Sequence, residues 1–174
     1  MSEILFVLGG ARSGKSAYAE ARARQSGLDP VYLATAQAFD DEMWDRVARH
    51  RADRVDDGWT TIEEPLALAE TIAAQRSRTR VLLVDCLTLW VSNLMMAERE
   101  VADEIDRLIA AMSHGPEGSV IFVSNETGLG IVPDNAMARA FRDHAGRLNQ
   151  RIAAIADEVV FVAAGLPLVL KPQG

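Results

Sequence analysis

Residues 9–16 read Gly9-Gly10-Ala11-Arg12-Ser13-Gly14-Lys15-Ser16, which fills every fixed position of the pattern G-x-x-x-x-G-K-[ST]. The spacing has a mechanical meaning. Glycines let the backbone fold closely round phosphate oxygens, so several N–H groups point inward as an anion-binding nest. A following helix adds the positive end of its dipole. Lys15 then reaches the β- and γ-phosphates, and the Ser16 hydroxyl is placed to ligate Mg²⁺. The context agrees: residues 4–8 form a short apolar run, read as a buried strand, and residues 15–25 are rich in the helix formers Ala, Glu and Arg before Gly27 stops them. The stretch predicts a P-loop fold that wraps the phosphates of a purine nucleoside triphosphate, GTP or ATP.

Outward from this loop, apolar runs and turn residues predict further strands at 31–34, 59–62, 81–84, 119–124, 159–163 and 166–170. Helices are expected at 40–53, capped by Asp40; at 65–76, opened by Pro65; at 87–97; and at 101–112. A long amphipathic helix starts at Pro133-Asp134, with Met137, Phe141, Leu148, Ile152 and Ile155 on its apolar face. Gly146 inside it costs about 1 kcal/mol against alanine, which points to close packing or a kink. The last two strands lie too close in sequence for a crossover helix, so they form a hairpin at the sheet edge. Strands alternating with helices predict an α/β fold whose mostly parallel sheet is covered on both faces. No linker, repeat or low-complexity tract divides the chain, and residues 1–174 are read as one domain.

Bulk properties narrow the function. The formal charge is -7 over 174 residues and no Lys/Arg block offsets it, so nucleic acid is not an expected partner. The apolar stretches 86–97 and 159–170 fall short of the roughly 20 residues that span a bilayer. Residues 4–8 are too short, and lack the preceding basic residues, for a secretory signal. With Cys86 as the single cysteine, no internal disulfide or four-cysteine zinc site can form. A soluble, cytoplasmic protein is expected.

Asp85 ends the run Val81-Leu82-Leu83-Val84, the position of a carboxylate that holds Mg²⁺ directly or through water. A lesser reading makes it the N-cap of the helix beginning near Leu87, and the two roles can coexist. His50 lies beside the apolar stripe of its expected helix, among Arg46, Arg49, Arg51 and Arg54. Such cations attract a triphosphate and disfavour a second positive charge on the imidazole, and a neutral imidazole is what attack on phosphorus requires. By pattern alone a solvated basic face accounts for the same residues. Asn125 and Glu126, at a strand end, either face a substrate or cap a turn. His114 reads as a loop residue and His144 as structural.

Several stretches together resemble the bifunctional adenosylcobinamide kinase/adenosylcobinamide-phosphate guanylyltransferase family of cobalamin biosynthesis. They are residues 9–16, Tyr32-Leu33-Ala34-Thr35-Ala36, Asp40-Asp41-Glu42-Met43 with His50 seven residues beyond, Ser124-Asn125-Glu126-Thr127-Gly128-Leu129-Gly130-Ile131-Val132-Pro133, and the run 141–150. The resemblance implies a RecA-type sheet, a homotrimer, and two reactions that use adenosylcobinamide and adenosylcobinamide phosphate. It makes His50 the guanylylated residue. It also puts Ala34, Thr35, Ala36, Arg51, Ala52, Asp53, Arg54, Glu63 and Asp85 at nucleotide contacts beside the phosphate loop. Two other classes remain open to the sequence: a different P-loop small-molecule kinase without a covalent intermediate, and a non-catalytic nucleotide switch.

Overall fold

The structure is a computed structural model and describes residues 3–37, 58–114 and 117–174. The helix expected at 40–53 lies outside the described residues. Seven strands form one sheet: β1 (Ile4–Gly9), β2 (Asp29–Ala34), β3 (Thr60–Glu63), β4 (Arg80–Asp85), β5 (Ser119–Asn125), β6 (Glu158–Ala163) and β7 (Leu166–Lys171). Their order is β3-β2-β4-β5-β1-β6-β7, with every pairing parallel except β6 with β7. The expected edge hairpin is therefore present. Five helices complete the described chain: α1 (Lys15–Gln25), α2 (Leu68–Gln75), α3 (Leu87–Met96), α4 (Val101–His114) and α5 (Ala136–Ile155).

The central strands are apolar at consecutive positions because both faces are covered, as parallel sheets require. Alternation divides them between two cores. Phe6, Leu33, Leu82, Val84, Val120 and Phe122 pack with Leu68, Trp90, Leu108 and Leu148 from helices α2 to α5. Leu5, Val7, Leu83, Ile121 and Val123 face the other way, where α1 supplies Ala19 and Ala23, with the partly buried Tyr18 beside them. Small residues on α1 keep it close to the sheet, and its N-terminus sits directly on the turn that leaves β1.

Helix boundaries differ from the sequence reading in three places. α2 begins at Leu68, not at Pro65. The carbonyls of Pro65 and Leu66 accept instead from Asn93 Nδ2 (3.1 Å) and Trp90 Nε1 (2.9 Å), while Glu64 Oε1 accepts from the N–H groups of Leu66 and Ala67. Tertiary bonds thus hold the residues that local pattern assigned to a first turn. α5 begins at Ala136, because Asn135 Oδ1 accepts from Ala138 N–H at 2.7 Å and is the N-cap. His114 ends α4 and is exposed. Gly146 is not tightly packed: α5 runs unbroken through it, and an added Cβ would meet no atom from outside its own helix backbone within 4 Å.

A buried cation closes the C-terminal end of α4. Arg76 donates through Nε to Gly118 O and through Nη1 to Met112 O, both at 3.0 Å. Met112 O is one of the last carbonyls of α4, which lack helical partners. Desolvation lowers the Arg76 pKa from its ordinary value, although guanidinium stays charged in proteins. Glu104, also buried, is met by Arg99 at 2.7 Å and Arg107 at 3.1 Å.

Leu82 is fully buried in the middle of β4. Leu82→Ala should cost about 2–5 kcal/mol of stability through lost transfer energy and a cavity. Urea titration followed by tryptophan fluorescence measures it; a loss below about 1 kcal/mol would contradict this packing.

Candidate nucleotide-binding site

The loop between β1 and α1 is held by its own backbone and by two neighbouring strands. Ser13 N–H donates to Gly10 O at 3.3 Å, and Lys15 Nζ donates to the same carbonyl at 3.1 Å. Lys15 is buried at the first position of α1, so its ammonium lies folded across the loop rather than out in solvent. Glu126 N–H donates to Gly9 O at 3.0 Å, and Gly165 N–H donates to Ser13 O at 2.8 Å. The first bond ties the loop to the end of β5, and the second ties it to the β6–β7 turn.

Two of the loop glycines are required by space. A Cβ on Gly9 would collide with Ser13 Oγ and with the carbonyl oxygen of Val162. Gly14 has φ +94°, and its Cβ would stand 3.1 Å from Gly165 Cα. Gly10 is different: nothing lies within 4 Å of its Cβ position. Ala11 and Arg12 are exposed, with Arg12 at φ +55°. Ser13 Oγ is buried without a partner among the described residues. Ser16 is half-buried on the first turn of α1.

The tips of β2, β3 and β4 come level with one another. Ala34 pairs in register with Glu63 on one side and Asp85 on the other. Glu63 is exposed, whereas Asp85 is half-buried and its Oδ2 accepts from Tyr32 O–H at 3.0 Å. Tyr32 meets Trp59 edge-to-face, with ring centroids 6.1 Å apart. Asp85 does not cap α3. The N-cap position belongs to Cys86, with no side-chain cap bond. The Asp85 side chain shares the sheet face of Val81 and Leu83, which is also the face of α1.

Thr35 falls beside this line, but its hydroxyl is already committed. It donates to Cys86 O at 2.7 Å and accepts from Cys86 N–H at 2.8 Å, and the residue is fully buried. Asn93 Nδ2 holds the Thr35 carbonyl at 2.7 Å. Thr35 therefore fixes the turn after Asp85, which follows a cis Asp85–Cys86 peptide. Ala34 and Ala36 are half-buried beside it and offer backbone and a methyl surface. The Cys86 thiol itself is pushed up to about 11, mainly by burial and then by the Asp85 charge.

The structure thus gathers residues 9–16, Ala34, Thr35, Ala36, Glu63 and Asp85 at the C-terminal ends of the strands, where open α/β sheets receive ligands. His50, Arg51, Ala52, Asp53 and Arg54 lie outside the described residues. The donor set fits Mg²⁺. No group of three or more His, Cys, Asp or Glu gathers as a metal site among the described residues. Mg²⁺ needs no such cage, since it takes one or two protein oxygens and completes its shell with phosphate and water. Ser16, on the first turn of α1, and Asp85, whose side chain faces the α1 layer, would supply such oxygens. The sequence left two kinds of contributor unassigned: Gly165, which braces the loop, and Thr88, Ser124 and Asn149, which hydrogen-bond behind the β5 tip. Their partners are remote in sequence, and although Ser124 and Asn149 fall inside stretches that carry the resemblance, spacing assigns them no role.

A glycine-bound phosphate loop on β1, a carboxylate at the tip of β4, and a parallel sheet ordered in this way define a P-loop NTPase of RecA-like architecture. Solved structures of similar fold include a type III secretion system ATPase of pathogenic bacteria (TM-score 0.53, 11% identity, 96% of this chain and 56% of that one). The RadB recombinase is a second (TM-score 0.53, 14% identity, 91% and 73%). Residues 5–170 match the family model described as cobinamide kinase / cobinamide phosphate guanyltransferase, and the chain belongs to that family. It is 50% identical over 169 residues to the bifunctional adenosylcobalamin biosynthesis protein CobP of Pseudomonas aeruginosa, covering 96% of each chain. It is 40% identical over 183 residues to CobU of Escherichia coli (97% of this chain, 99% of that one). CobU of Salmonella typhimurium is 42% identical over a span of the same length.

Gly9→Ala should weaken GTP binding roughly tenfold or more, about 1.4 kcal/mol, because backbone must move. Gly10→Ala, with open space around it, should change binding less than Gly9→Ala; calorimetric titration of both variants checks the order. For Cys86, a raised pKa means that its contribution to stability is complete below the ordinary thiol range near 9 and is lost as pH rises through about 11. At pH 8 the native thiol should react with a thiol-specific reagent at least about tenfold more slowly than in denaturant. Equal rates would place Cys86 in solvent.

Proposed function

We propose that this chain first phosphorylates adenosylcobinamide with ATP or GTP, and then transfers GMP from GTP to the resulting phosphate through a covalent intermediate on His50. Residues 1–174 act as one catalytic domain. The observation that carries the reading is the braced phosphate loop, with Lys15 folded across it, in a chain of this family. Gly9, Gly10, Ala11, Arg12, Ser13 and Gly14 supply the backbone donors, and Lys15 supplies the cation. Ala34, Ala36, Glu63 and Asp85 border the nucleotide, with Thr35 acting through the turn it clamps.

In the kinase step the hydroxyl of the aminopropanol arm attacks the γ-phosphorus. The bond from γ-phosphorus to the β–γ bridging oxygen breaks, the diphosphate leaves, and the hydroxyl proton passes to solvent. Positioning and charge stabilisation by Lys15 and the loop amides carry most of the acceleration. Ser16 and Asp85 would hold Mg²⁺, which when bound neutralises phosphate charge.

In the second step a neutral imidazole nitrogen of His50 attacks the α-phosphorus of GTP and pyrophosphate leaves. Phosphorus is then bonded to nitrogen in a phosphoramidate. An oxygen of the substrate phosphate attacks the same phosphorus, the P–N bond breaks, and the product is adenosylcobinamide-GDP with histidine restored. Arg51 and Arg54, with Ala52 and Asp53 between them, continue the nucleotide contacts. The basic sequence around His50 would attract a triphosphate to an otherwise acidic chain.

We further propose a homotrimer working in the cytoplasm. Apolar exposure supports self-association: Leu166, Leu168, Val169 and Leu170 on the edge strand β7 are all more than half exposed. Among the described residues, no helix is long and apolar enough to cross a membrane.

After incubation with GTP and magnesium, the intact mass should rise by one GMP. α-Labelled GTP should leave acid-labile, base-stable label on the protein, and His50→Ala should abolish it while nucleotide binding persists. Full labelling of His50→Ala would remove that residue from the reaction. Lys15→Ala should lower both activities by at least roughly a hundredfold. Unimpaired guanylyl transfer in that variant would mean that the two reactions hold triphosphate differently.

A further inference from the structure

Asn125 ends β5, the strand between β1 and β4. It stands level with Gly9, and Val123 two residues earlier stands level with Asp85. The side chains of Ile121 and Val123 face the α1 layer, as do those of Leu5 and Val7 on β1 and Val81 and Leu83 on β4. Strand alternation therefore sends the Asn125 carboxamide to the same face, between the phosphate loop and Asp85. It is half-buried, and no described residue pairs with its side-chain amide. A carboxamide offers two N–H donors, and here they are open to solvent or to a ligand.

The backbone of Asn125 is held more firmly than an ordinary strand end. Its N–H donates to Thr88 Oγ1 at 2.7 Å. Ser124 Oγ donates its single proton to Asn149 Oδ1 at 2.8 Å. In the 3.2 Å contact between the hydroxyls, Thr88 must then be the donor and Ser124 the acceptor. Thr88, Ser124 and Asn149 are all buried, so this directed chain runs from α5 through the β5 tip to α3 away from water. On the other side, Glu126 N–H fixes Gly9 O. The residue between is thereby locked to the start of the phosphate loop.

We propose that Asn125 Nδ2 donates to the terminal phosphate of the bound nucleoside triphosphate, and that Thr88 is the positioning residue that sets its reach. The inference rests on the P-loop reading above. The loop amides and the α1 terminus enclose the inner phosphates. The group that extends past them toward the β4 tip is the terminal phosphate. Asn125 therefore distinguishes triphosphate from diphosphate, which the loop amides alone do not.

The test compares binding of a β,γ-imido GTP analogue and of GDP, with magnesium, by calorimetry on the full chain. Asn125→Asp keeps the shape and replaces the donor with a carboxylate. It should weaken the triphosphate analogue roughly tenfold or more while changing GDP less than about twofold. Equal losses for both nucleotides, or no loss, would overturn the proposal. Asn125→Ser takes its place if the melting temperature of the ligand-free Asp variant shows that it does not fold. Thr88→Val should reproduce the selective loss and Thr88→Ser should restore it; a Val variant that melts earlier but keeps the wild-type triphosphate-to-diphosphate ratio would remove Thr88 from this role. Lys15→Ala separates the two levels. If it weakens both nucleotides and Asn125→Asp weakens neither, only the Asn125 inference falls. If Lys15→Ala binds both as tightly as wild type, the nucleotide sits elsewhere and both readings fall.

Discussion

The 2.8 Å hydrogen bond from Gly165 N–H to Ser13 O, made possible by the absent side chain at Gly14, governs how this site is built. It joins the β6–β7 turn to the phosphate loop, and Glu126 N–H grips Gly9 O from the opposite flank. A nest of backbone amides binds an anion well only if it does not have to reorganise on binding. Here the loop is clamped between two neighbouring strand ends before any ligand arrives. The edge hairpin is therefore part of the site as well as of the sheet.

Behind the strand tips, buried polar side chains do work that apolar packing cannot. Thr35 makes two hydrogen bonds to the Cys86 backbone, Thr88 and Ser124 link β5 to α3 and α5, and Arg76 closes α4. Each group is satisfied, and that condition is what lets buried polarity order a structure instead of weakening it. Dispersion fills the cores on either face without regard to direction. The hydrogen bonds choose where each strand ends and which way the next residue points.

The two faces of the sheet are unequal, and that inequality serves the chemistry. Four described helices cover one face, while α1 with its alanines lies against the other. A slender cover lets α1 lie against the central strands β1, β4 and β5, on the sheet face toward which Asp85 points. The same face receives Tyr32, which orients the Asp85 carboxylate through its hydroxyl.

Much of this was legible without coordinates. Residues 9–16 announce their conformation because phosphate-loop geometry is local: glycines, a lysine and a hydroxyl at set intervals between a strand and a helix. Apolar runs of strand length, alternating with helix-length segments, determined a mostly parallel sheet, and the short span around Gly165 determined the terminal hairpin. The start of α2 was misplaced because Pro65 is a good first helical residue locally, yet its carbonyl and that of Leu66 are claimed by Asn93 and Trp90 from α3. Thr35 reads as a nucleotide contact in its motif, while its hydroxyl is occupied by Cys86, 51 residues away. The partners of Asn125, Thr88 and Ser124 likewise come from separate elements. Periodicity and spacing report what a residue does to its own segment; which distant donor meets which acceptor depends on how the segments pack, and that information exists only once the chain is folded.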